Sequence, residues 1–266
     1  MIAAKLSAFA WHGFEMARSY RLNFAARYFT SFVTVLFYLF LAELFERAGV
    51  TVVSGTDYFT FLLIGGAFSK YVEIGMSSTS NTLREEMLMG TLEPLLATAT
   101  PVTAALLGPS LFLVAEGTLL VLAQLLIGAL LGADFSRANW PTAILVTVLL
   151  VGCLYCWGLI SAAFTLRTKC QEPVGAIVGA LTYLFSGVFV PVVLLPPAMQ
   201  AISYLLPFTY GLRALRGALL QGRGLIGVWP EIAALLIFTV LLLPVALFSL
   251  RAATRHLRQS GGLGHY

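Results

Sequence analysis

Charge is scarce in this 266-residue chain: Asp, Glu, Lys and Arg together make up 11% of it, against roughly a quarter in an average globular protein. That deficit excludes a soluble enzyme and a charged, disordered scaffold. Sixteen Lys and Arg against twelve Asp and Glu leave a net charge of only +4. No basic cluster is interleaved with aromatic residues, so nucleic acid is not an expected partner. Three cysteines and three histidines are too few for a disulfide framework or a metal centre. Cys153-x-x-Cys156 has no second pair and no neighbouring histidine, so these two read as small hydrophobic residues. His12, His256 and His265 are scattered in terminal segments. A phosphate-binding Gly-x-x-x-x-Gly-Lys-Ser/Thr motif is also missing. The nearest run, Gly65-Gly66-Ala67-Phe68-Ser69-Lys70, has the wrong spacing and lies in an apolar stretch. With no nucleophile and base at workable spacing, this chain is expected to catalyse nothing itself and to bind no cofactor.

What is abundant is apolar surface. Hydrophobic residues make up 59% of the chain and the mean hydropathy is +0.90. A membrane span needs about 20 mostly apolar residues. Six stretches qualify: about 25–44, 58–80, 104–131, 142–166, 173–191 and 231–250. The fold class expected is therefore all-α, integral to a membrane, with both termini on one side. If that side is the cytoplasm, ten Lys and Arg lie inside, five lie outside and Lys70 lies within a span. The sign of this bias agrees with the positive-inside rule, although Arg213, Arg216 and Arg223 cluster on the outer side against it. Residues 1–24 carry Lys5, His12, Glu15 and Arg18 in place of a continuous apolar core, so no cleaved signal is expected. Ile2, Leu6, Phe9, Met16, Tyr20 and Phe24 fall on one helical stripe. An interfacial helix on the inner leaflet is expected there, with a plain first turn as the alternative. Residues 251–266 form the expected cytosolic tail.

Two interruptions stand out. Between the second and third stretches, Arg84, Glu85 and Glu86 continue the second helix beyond the apolar run and Gly90 ends it. Thr91 can cap a short new helix, Leu92–Ala97, with Glu93 and Pro94 in its first turn. Its leucine face suits a partner's groove; an interfacial turn resting on lipid is the alternative. After the fifth stretch, Pro191, Pro196, Pro197 and Pro207 divide apolar sequence into pieces too short to span. Two short helices are expected, about Ala198–Leu206 and Thr209–Leu220. They would dip into the outer leaflet where protein or a water-lined cavity satisfies the broken backbone, or else lie on the surface as amphipathic helices. Arg213 and Arg216, three apart, are placed to meet lipid headgroups or an anionic substrate.

Inside the apolar stretches stand Lys70, Glu73 and Glu116. Lys70 and Glu73 share a helical face and can neutralise each other. Intramembrane charges of this kind either pin helices together or form part of a pathway. Gly128-x-x-x-Gly132 and Gly175-x-x-x-Gly179 permit close helix contact.

These segments together resemble the permease subunit of type-2 ATP-binding-cassette (ABC) exporters, the class that includes polysaccharide, lipo-oligosaccharide and drug-efflux permeases. The likeness rests on Glu86 with Gly90-Thr91-Leu92-Glu93, Leu95-Leu96 and Thr100-Pro101. It rests equally on Ser186-Gly187-Val188-Phe189-Val190-Pro191, Leu195-Pro196, Pro207-Phe208-Thr209-Tyr210 and Leu212-Arg213. The resemblance implies a permease of two such chains, identical or not, in a bacterial or archaeal inner membrane. It implies two ATPase subunits that carry ATP and Mg and touch Arg84, Glu85, Glu86, Gly90, Thr91, Leu92 and Glu93. Phe189, Pro191, Pro196, Pro207, Tyr210, Arg213 and Arg216 would form an outer gate. The cargo would be an amphiphile: a lipid, a hydrophobic drug or a lipid-linked glycan. The competing expectation is a proton-coupled secondary transporter using Lys70, Glu73 and Glu116.

Overall fold

The computed structural model describes residues 21–47, 57–89, 102–168 and 173–260. Among these residues the chain is all α-helical, without strands. The helices are α1 (Arg21–Arg47), α2 (Tyr58–Leu88), α3 (Val102–Leu130), α4 (Trp140–Thr168), α5 (Pro173–Phe185), α6 (Pro197–Tyr204), α7 (Pro207–Gln221) and α8 (Trp229–Ser260). Four segments are long and apolar enough to cross a membrane: Ala25–Arg47, Ser110–Leu130, Trp140–Thr168 and Trp229–Arg255. The stripe over residues 1–20, the short helix Leu92–Ala97 with Gly90, Thr91 and Glu93, and the tail from Gly261 lie outside the described residues.

Local chemistry sets the helix ends. Asp57 caps α2, accepting from the Phe59 N–H at 3.2 Å and the Thr60 hydroxyl at 3.0 Å. The Asn139 side chain accepts from the Thr142 N–H at the start of α4. Proline stands in the first turn of α6 and α7, where a missing N–H costs nothing. α7 ends at Gly222, whose φ of +65° suits glycine, and the Arg223 N–H returns to the Gly217 carbonyl at 3.0 Å.

α2 is the axis of the bundle. Residues from Tyr58 to Ser69 are buried around the whole helix circumference, the pattern of a helix enclosed by neighbours. α1, α3, α4, α5 and α7 all pack against it, and α8 and α7 pack against α4. Glycine lets the central crossing close. A Cβ on Gly158 of α4 would collide with the Gly75 carbonyl of α2, and one on Gly75 would sit 2.7 Å from Leu154 Cβ. Gly128 of α3 likewise admits Leu63. Its partner in the spacing motif, Gly132, has a φ of +110° and meets nothing, so it terminates α3 instead of packing. Gly179 borders α2 only through Met76 Sδ, at 4.0 Å from where a Cβ would stand.

The stretch expected to span over 173–191 is helical only in its first part. α5 stops at Phe185, and its 13 residues reach only about 20 Å, short of the roughly 30 Å hydrocarbon layer. Gly187, at a φ of +83°, then turns the chain away from the helix. The two short helices follow, at Pro197–Tyr204 and Pro207–Gln221. α6 is largely exposed, whereas α7 buries Phe208, Leu212, Leu215 and Leu219 in the main core. The surface-helix alternative therefore fails for α7, because protein surrounds it.

Gly158→Ala should lower the detergent melting temperature of the purified chain, with overpacking at the α2–α4 crossing costing about 1–3 kcal/mol. Gly152→Ala, on the same helix but with nothing within 4 Å of the added methyl, should leave melting unchanged. Equal melting of the two variants would show that the crossing does not need its glycine.

Candidate functional site

A helix that ends inside an apolar layer leaves carbonyls without partners. Here Arg216 of α7 supplies them. Its Nη1 donates to the Gly187 carbonyl at 2.7 Å, and its Nη2 donates to Val188 at 2.9 Å and to Phe61 of α2 at 3.0 Å. The guanidinium lies over the Phe61 ring, its Cζ 3.3 Å from the centroid, in cation–π range. Arg216 therefore faces inward, which corrects its expected contact with headgroups or an anionic substrate. Gly65 makes room for this arrangement, since a Cβ there would come within 2.6 Å of both Arg216 Nη2 and the Val188 oxygen. The Tyr58 hydroxyl adds a bond to the Phe189 carbonyl at 2.9 Å, and the Phe189 ring meets Tyr183 edge-on.

Other expected gate residues surround this turn. Pro191 precedes a 3-10 turn at Val192–Leu194, Pro196 precedes α6 and Pro207 opens α7. The Tyr210 hydroxyl donates to the Tyr204 carbonyl at 3.0 Å, tying α7 to α6. Arg213 points to the outside of α7 and pairs with Glu231 of α8 at 3.7 Å. The backbone N–H of Asn139 donates to the Ala218 carbonyl, joining the α3–α4 loop to the same end of the bundle.

A second site lies between α1, α2 and α3, near the middle of α2 and α3. There a groove of about 280 Å³ is lined by Arg27, Lys70, Glu73, Glu116 and Gln124, with Thr30, Ser31 and Thr34 of α1 along one wall. Lys70 Nζ pairs with Glu73 at 3.1 Å within α2. Glu116 pairs with Arg27, bringing together α1 and α3. The two carboxylates thus have separate cationic partners. The α2–α3 seam beside them is fixed by the Tyr71 hydroxyl, which donates to Thr118 Oγ1 at 2.9 Å.

Sequence reasoning missed Arg27 and Gln124. Arg27 falls inside the first apolar stretch, and Gln124 breaks an otherwise apolar run in α3. Both carry the signal that a polar side chain within a span is costly and needs a partner. Arg84 and Glu85 lie in the last turns of α2; the side chain of Glu86 lies outside the described residues. Cys153 and Cys156 are buried and free, as small hydrophobic residues would be.

Long apolar helices, close glycine-mediated crossings and charges paired within apolar stretches define a multi-pass membrane protein. The family model described as ABC-2 type transporter matches residues 7–220, and the chain belongs to that family. It is the membrane permease subunit of such a transporter, a family in which the ATPase is a separate subunit. No curated protein matches it.

Arg216→Met should strand the Gly187 and Val188 carbonyls in an apolar setting and destabilise the fold by about 2 kcal/mol or more. Arg216→Lys should recover only part of this, because an ammonium lacks the planar fork. Hydrogen exchange across Ser186–Leu195 reads the effect directly: faster exchange in both variants is expected, and wild-type protection in Arg216→Met would remove Arg216 as the support of the turn.

Proposed function

We propose that this chain is the membrane half of an ATP-driven exporter that moves an amphiphile out across a bacterial or archaeal inner membrane. The observation that carries the reading is the asymmetry of the bundle. One end carries the turn built on Arg216, while a polar groove opens among α1, α2 and α3 at mid-length. A path entered from the inner half of the membrane and barred at the outer end suits export.

In this reading α2 and α5 join the four strongly apolar helices to make six spans, with the non-helical turn after α5 occupying the part of the layer that α5 does not reach, and both termini are cytoplasmic. Two permease chains, identical or paired with a sister, would enclose the path, and two ATPase subunits would hold ATP and Mg. Closure of the ATPases would press on the end of α2, at Arg84, Glu85 and Glu86, and on Gly90, Thr91, Leu92 and Glu93. Because α2 is the axis around which the other helices pack, a push at its inner end tilts the whole half. At its outer end, α2 carries Tyr58 and Phe61, which hold the turn at Gly187–Phe189. Phe189, Pro191, Pro196, Pro207, Tyr210, Arg213 and Arg216 would then act as the outer gate by moving with that turn.

The test begins with a C-terminal tag and extraction from native membranes in mild detergent. A Walker-motif ATPase is expected to copurify stoichiometrically and to be lost or uncoupled from transport on changing Glu86, Thr91 and Glu93. Purification of the chain alone, with substrate uptake on a proton gradient and without ATP, would replace the exporter with the proton-coupled transporter.

A further inference from the structure

The groove between α1, α2 and α3 contains an arrangement that helix pinning does not account for. Gln124 is 1% exposed, lines the groove, and its Oε1 has no hydrogen-bond partner. Of the buried side-chain polar atoms left without a partner among the described residues, it is the one that lines this groove. Glu116 lies on the same side of α3, about 12 Å away along the axis. On α1, Arg27 and Thr34 are spaced by nearly two turns, so the groove is elongated. Ionic groups stand at one end of it and neutral hydrogen-bonding groups at the other.

The sign and burial of the ionic groups select the occupant. Two cations and two carboxylates make the lining formally neutral. The Glu116 side chain is 9% exposed, but those of Arg27 and Lys70 are 50% and 40% exposed. A purely anionic head that drew Arg27 away would leave a nearly buried carboxylate unpaired, a costly state. A head carrying both signs avoids this: its ammonium replaces Arg27 at Glu116 while its anionic group takes Arg27 and Lys70 at the rim. A hydroxyl behind the head then reaches Gln124.

We infer that this groove is the head-group site for a zwitterionic amphiphile with a hydroxyl donor behind its phosphate, the chemistry of an amine-bearing lysophospholipid. The inference rests on the transport reading for its purpose and not for its binding. Such a head could belong to cargo or to a resident membrane lipid.

The experiment uses the full permease with its copurified ATPase in detergent. Binding of radiolabelled lysophosphatidylethanolamine is measured against competition by unlabelled lysophosphatidylethanolamine and by lysophosphatidylglycerol of the same chain length. The glycerol head should compete at least tenfold less well. Glu116→Gln should abolish that preference. Gln124→Leu removes an unpaired acceptor and keeps the shape, so it should weaken binding about fivefold while melting stays at or above the wild-type temperature. Equal competition by the two lipids, or wild-type binding by Gln124→Leu, overturns the inference. ATP hydrolysis by the complex is scored separately, so that hydrolysis without selective binding sinks the site and leaves the exporter standing. Selective binding without hydrolysis does the reverse. Where binding is selective, movement of the lipid across reconstituted vesicles on ATP marks cargo, and binding without movement marks a resident lipid; both support the site.

Discussion

Backbone carbonyls released from a helix in the middle of an apolar layer must find donors, and no water is at hand to supply them. In this chain the donors come from Arg216, through bonds to Gly187, Val188 and Phe61. The rest of the outer end depends on that fork. Without it, the Gly187 and Val188 carbonyls would stand bare, and the fold-back between Ser186 and Leu206 would lose its tie to α2 and α7. One guanidinium thus joins a carbonyl within α2 to the turn that follows α5, from a helix later in sequence than both.

Small residues do the complementary work. Gly75 and Gly158 bring α2 and α4 to backbone contact, and Gly128 seats Leu63. Such interfaces rely on close packing, since helix association in lipid gains little from the hydrophobic effect. α1 is held differently. Its outward face exposes Phe29, Phe37, Phe40 and Leu44, while its inner face offers Val35, Tyr38 and Ala42 to the core. Near its start, the pair between Arg27 and Glu116 binds it to α3. The bundle therefore combines a tight α2–α4–α8 body with a more thinly attached first helix.

Much of this was legible in the sequence because the signals are local. Long apolar runs marked helices α1 to α4 and α8, and the prolines at 197 and 207 marked the starts of α6 and α7. The end of α5 was not legible: Gly187 sits in a run as apolar as any span, and the donor that satisfies its carbonyl lies 29 residues further on. The direction of Arg216 was hidden for the same reason, since an arginine on a short outer helix reads as a surface charge until its acceptors are known. Glu116 was visible as costly, but its partner Arg27 is 89 residues distant and looked like an inner flanking charge. The segment from Gly90 to Glu93, on which much of the family likeness rests, falls outside the described residues. Its role stays with the resemblance.

Gly65 and Gly66 are adjacent on α2, and each admits a different neighbour: Arg216 and the Val188 carbonyl at the first, the Tyr38 ring of α1 at the second. Two neighbours from different parts of the chain therefore bear on consecutive peptide units of one helical turn, like two levers on a shared fulcrum. A swing of α1 that lifts Tyr38 would free the backbone one residue from the seat of the outer turn. News of what lies against the first helix could in this way reach the far mouth of the molecule through a single rung of α2.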